Sequence, residues 1–241
     1  MKIPSSKPQK RKGNRAYQEP AERNLKILLT GFNKFSNLEY NPTEFIVNKI
    51  NQQQRQRRST LSISTKIFQT ESLLTGKKIQ KLILQTRPDA IICLGVSIGI
   101  KDIKLELLAR NAYLPSLKVK LKLKALKPII PNGRPYYWST LPIDGIVRSL
   151  KKNGFPVAIS KDAGTYECNQ VFYLARYVLE SIGQDSEIMC GFIHTPLMSE
   201  QLNVRDSNVA SLPLKVMTEA INEVIKVVKT KYQSSYHSLN G

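Results

Sequence analysis

Three short, mostly apolar runs constrain this chain more than any other feature: residues 25–30 (LKILLT), 89–96 (DAIICLGV) and 188–194 (IMCGFIH). Continuous runs of this length read as strands buried on both faces, and such strands belong to parallel sheets covered by helices. The segments between them carry helical spacing. Residues 44–51 follow Pro42 and Thr43 as an N-terminal cap, residues 73–86 stop before Pro88, and residues 143–153, 168–182 and 214–232 are amphipathic. Residues 61–68 alternate as a strand would, 157–160 is a short strand, and 51–60 (NQQQRQRRST) reads as a helix end plus loop. Alternation of strand with helix predicts an α/β fold, a three-layer α/β/α sandwich around a mostly parallel twisted sheet.

That domain is expected over residues 25–241. Residues 1–24 hold seven basic residues and three prolines with few aliphatic side chains, so they predict a disordered basic tail. Residues 117–126 (LKVKLKLKAL) alternate Lys with Leu or Val and predict a Lys-rich β-hairpin arm, which is either an edge protected by charge or a patch for an anionic partner. Lys plus Arg number 37 against 18 Asp plus Glu, and the net charge of +19 attracts polyanions. A protein that binds nucleic acid or another polyanion through the tail and this strand is therefore a second reading, although no nucleic-acid-binding motif is present. No apolar run reaches the roughly 18 residues of a membrane span. Three cysteines at wide spacing suit reduced thiols in a cytoplasm, and an organelle address remains open because residues 1–15 lack acidic side chains. Two histidines without CxxC or HxxxH spacing predict no metal site.

Cys168 falls where the turn 162–167 (DAGTYE) meets an amphipathic run, facing the positive end of a helix, where exposed amides favour a thiolate. Cys93 and Cys190 sit inside strand runs and read as core filler. His194 ends an apolar strand before Thr195 and Pro196, at the sheet edge where α/β folds assemble sites. His237 lies near the C-terminus, so His194 is the core histidine available to Cys168. Glu106, soon after the strand 89–96, can orient the imidazole.

The runs LLTGFNKF (28–35), NPT (41–43), IKLE (103–106), STLPI (139–143), AGTYECN (163–169) and GFIHTP (191–196) occur in the order and spacing of the pyroglutamyl peptidase I family, and the chain resembles that family over about residues 25–232. The resemblance implies a cysteine peptidase that removes N-terminal pyroglutamate from peptides without metal or cofactor. It implies Cys168 as nucleophile, His194 as base and acid, and Glu106 as the group that orients the histidine. Phe32, Phe35 and Tyr166 are the implied substrate-binding residues, and a homo-oligomer and a cytoplasmic setting are inherited with the family.

Several positions depart from the family pattern. Leu107 and Ser116 stand where arginines are usual, Ile98, Gly99 and Ile100 where Gly-Gly-Arg is usual, and Ser36 and Asn37 where two glycines are usual. Glu167 stands where the family carries an apolar residue against the lactam. A carboxylate there opposes the neighbouring thiolate and is costly to desolvate, so both effects predict weakened activity.

Overall fold

The computed structural model describes residues 24–34, 38–56, 61–70, 75–114, 126–203 and 208–240. The basic tail except Asn24, the Lys-rich run except Leu126, and Phe35, Ser36, Asn37 and Ser116 lie outside these residues. Among the described residues the chain forms β1 (Leu25–Phe32), α1 (Pro42–Arg55), β2 (Leu61–Phe68), α2 (Thr75–Thr86) and β3 (Ala90–Val96). There follow β4 (Ile103–Glu106), β5 (Leu108–Arg110), β6 (Tyr136–Trp138), α3 (Ile143–Lys152) and β7 (Val157–Ser160). The remainder is α4 (Glu167–Ser181), β8 (Met189–Thr195), β9 (Leu197–Met198), a 3-10 turn, β10 (Ser211–Leu212) and α5 (Leu214–Asn240).

Six strands make one sheet in the order β2-β1-β3-β8-β4-β7. The first four run parallel, whereas β4 is antiparallel to β8 and carries β7 with it in its own direction. Both faces are covered. Helices α1, α3 and α5 pack on Ile27, Leu29, Ile92, Leu94 and Ile193, while α2 and α4 pack on Leu28, Ile91, Cys93, Cys190 and Phe192. Neighbouring residues of one strand thus feed opposite layers, which is why β1 and β3 are apolar almost throughout rather than alternating. Edge strand β2 does alternate, with Ser62, Ser64 and Lys66 exposed between less exposed neighbours.

The sequence expectation of an α/β/α sandwich with a mostly parallel sheet holds, while several element bounds differ from those expected. Helix α1 runs on to Arg55 because Gln and Arg are good helix formers and nothing in 51–55 breaks the turn. Helix α4 begins at Glu167, one residue early, and α5 continues to Asn240. Strand β4 was not anticipated: four residues are too few for a period to be read. Strands β5 and β6 pair antiparallel, and an isolated antiparallel bridge joins Tyr113 to Lys127.

Candidate active site

The end of β1 is fixed by the NPT motif. Asn41 caps α1, its Oδ1 accepting from Thr43 N–H at 3.1 Å, and its Nδ2 donates to the Asn33 carbonyl at 2.9 Å. Thr43 Oγ1 accepts from Phe32 N–H at 3.0 Å. Pro42 opens the helix at a position that needs no N–H donor. Phe32 is thereby pinned where strand becomes loop, with its side chain in the wall of a cavity of about 340 Å³.

The opposite wall is the start of α4. Tyr166 occupies the N-cap with extended backbone and no side-chain cap bond, so the first turn presents Glu167 and Cys168 to the cavity at the positive end of the helix dipole. Asn169 anchors this turn from beneath. It is fully buried, its Oδ1 accepts from Arg110 N–H at 2.8 Å, and its Nδ2 donates to the carbonyls of Arg110 at 2.9 Å and Ala112 at 2.8 Å.

The floor comes from β4 and β8. Lys104 pairs with His194 and Glu106 with Phe192, so Lys104, Glu106, Phe192 and His194 share one face of the sheet. Glu106 Oε1 meets His194 Nδ1 at 2.8 Å, although 88 residues separate them, and both are almost wholly buried. Burial of the His194 ring opposes its charging. The charge of the Cys168 sulfur and its hydrogen bond to the ring, followed by the bond and charge of Glu106, outweigh that, and the histidine is raised to about 9. An imidazole so placed is protonated at neutral pH and touches a sulfur on one side and a carboxylate on the other.

Of the residues singled out from sequence, Phe32, Glu106, Tyr166, Cys168 and His194 line this one cavity. Phe35 lies outside the described residues. Cys93 and Cys190 are fully buried; burial pushes the Cys93 thiol up to about 12, with a smaller opposing bond from Thr30, and burial raises Cys190 as well. Both stay neutral. Among the described residues no group of three or more His, Cys, Asp or Glu side chains could hold a metal ion, and no helix is long and apolar enough to cross a membrane.

Sequence reasoning missed Gly95. A methyl group there would lie 2.8 Å from Cys168 Sγ and 2.7 Å from the Phe192 ring, so only a bare backbone leaves room for the sulfur. Its signal was the glycine inside an otherwise bulky apolar run. Asn169 and Lys104 were also passed over, although both stand inside the motif runs 163–169 and 103–106.

The chain as a whole has counterparts. Residues 25–231 match the model of the family described as Pyroglutamyl peptidase. The chain belongs to that family. A pyrrolidone-carboxylate peptidase of Bacillus licheniformis is 31% identical over 219 residues, covering 90% of this chain and 97% of its own. One from Brevibacillus brevis is 33% identical over 211 residues, covering 83% and 91%. Among solved structures, a mutant pyrrolidone carboxyl peptidase from the hyperthermophile Pyrococcus furiosus superposes with a TM-score of 0.77 at 29% identity, covering 86% of this chain and 99% of that one. This pyroglutamyl peptidase family member therefore has relatives along nearly the whole domain, and its fold is theirs.

Proposed function

We propose that this chain is a working cysteine peptidase that releases N-terminal pyroglutamate from peptides, with Cys168, His194 and Glu106 as its catalytic set. The observation that carries the assignment is the 2.8 Å bond between Glu106 and His194 inside the cavity that Cys168 lines. The Cys168 thiolate attacks the pyroglutamyl carbonyl carbon, and the oxyanion is received by amides of the first turn of α4. Protonated His194 gives its proton to the departing peptide amine, leaving a thioester; the neutral ring then takes a proton from water, which attacks the thioester and frees the thiolate. Glu106 holds the ring in the orientation that serves both transfers.

Pyroglutamate is a neutral five-membered lactam, so it suits a small cavity with an aromatic wall, which Phe32 supplies and Tyr166 flanks at the rim. Family resemblance assigns substrate binding to Phe35 as well. A reducing, cytoplasmic setting is part of this reading because the nucleophile must stay unoxidised. Full-length protein incubated with a pyroglutamyl aminomethylcoumarin amide should release the fluorophore, and Cys168→Ala should not. Equal turnover by the two proteins, or none by either, removes the assignment.

A further inference from the structure

Strand β4 is apolar on one face and polar on the other. Ile103 and Leu105 are buried in the layer of α1, α3 and α5, while Lys104 and Glu106 alternate with them on the face that carries Phe192 and His194. Glu106 is held by the histidine. Lys104 is half-buried and lines the cavity, and among the described residues its ammonium makes no hydrogen bond or ion pair.

The register of the sheet gives Lys104 a definite place along a substrate. Gly95 of β3 pairs with His194 of β8, and His194 pairs with Lys104 of β4, so the three form one row across adjacent strands. Cys168 Sγ sits over Gly95 at one end of the row, and β1 with Phe32 lies beyond that end. In the proposed hydrolysis, on which this inference rests, the lactam ring lies against Phe32 and its carbonyl carbon meets the sulfur. The departing nitrogen then lies at His194, which supplies its proton. The residue that owns this nitrogen continues toward β4, one strand spacing of about 4.8 Å further on. Lys104 is the side chain it meets there. An ammonium with three donors on a flexible stem answers a carboxylate without demanding one geometry. We propose that Lys104 selects the residue that follows pyroglutamate, favouring peptides in which that residue bears a carboxylate. An aspartate or glutamate side chain presents this group, and so does the free chain end of a pyroglutamyl dipeptide.

Amine release from pyroglutamyl-Glu amide, pyroglutamyl-Gln amide and pyroglutamyl-Lys amide tests this in the full chain and in Lys104→Arg, Lys104→Met and Lys104→Glu. A fourth peptide, pyroglutamyl-Gln with a free carboxylate, separates the two sources of charge. The full chain should favour a carboxylate-bearing peptide over pyroglutamyl-Gln amide about fivefold in kcat/KM, the factor that about 1 kcal/mol represents for a half-buried ion pair. A gain confined to the Glu amide assigns the side chain as the ligand, and one confined to the free acid assigns the chain end. Raising the salt concentration should shrink the preference. Lys104→Arg should keep it, Lys104→Met should bring the ratio to about one, and Lys104→Glu should turn it toward the Lys amide. Each ratio is taken within one protein, so a loss of folded enzyme cancels. Equal kcat/KM for the carboxylate-bearing and neutral peptides in the full chain, or a preference that Lys104→Met leaves intact, overturns this inference and leaves the peptidase assignment standing. Cleavage of none of the four overturns both.

Discussion

Replacing Gly95 with alanine tests whether the sulfur's position is set by the strand beneath it. The added methyl carbon would lie 2.8 Å from Cys168 Sγ, with Phe192 ring atoms at 2.7 Å and 2.9 Å. Relaxed contacts between such atoms are roughly 3.5–4.0 Å, so about 1 Å must be found. Phe192 is 1% exposed, and its ring is 4.9 Å from that of His194, so the aromatic side has little room to yield. The sulfur, at the cavity wall, is the group that moves. A displacement of about 1 Å at a reacting atom costs on the order of 10²-fold in rate, and overpacking costs about 1–3 kcal/mol of stability. For a chain of this size each kcal/mol lowers Tm by about 2–4 °C. The assay pairs kcat on a pyroglutamyl amide with a thermal melt, and Gly191→Ala serves as the control. A methyl at Gly191 would strike Leu141 and Ser139 at 2.5 Å and should lower Tm at least as far, but it does not touch the sulfur. If Gly95→Ala keeps kcat within a few-fold of wild type, or if both variants lose activity in step with stability, the steric account of Cys168 is wrong.

The raised His194 value predicts an alkaline limb of kcat/KM near pH 9, because the ring must carry the proton it delivers. In the same sense, stability from this group is complete below the ordinary 6.5 and is lost as pH rises through about 9; a pH series of melts that rises over that window contradicts it. Glu106→Gln removes the carboxylate charge beside the ring, and should move that limb to lower pH while cutting kcat/KM about 10²-fold; an unmoved limb rules out the charge as the cause. Asn169→Ala strips partners from Arg110 N–H and from the carbonyls of Arg110 and Ala112, at about 1–3 kcal/mol for a buried group left unpaired, so Tm should fall by several degrees. An unchanged Tm would show that water replaces the side chain.

Local chemistry made much of this protein legible from its residues. The runs at β1, β3 and β8 declare buried strands because strands covered on both faces have no polar side to show, and α3 and α4 announce themselves by period and flanking turns. Cys168 and His194 could be singled out because the ends of such elements are where α/β folds expose reactive groups, and the motifs of the family tied them to Glu106.

What no local pattern carries is the direction and neighbour of a four-residue strand. Only the tertiary structure inserts β4 between β8 and β7, antiparallel to the first and parallel to the second, and that insertion sets Glu106 against a histidine 88 residues away. The close approach of Gly95 and Cys168 likewise joins a strand to a helix more than seventy positions further on, and the cavity takes its walls from stretches spread between Phe32 and His194. Periodicity reports which face of an element is buried; it is the packing of elements, a sum over many weak long-range contacts, that decides what each buried face meets.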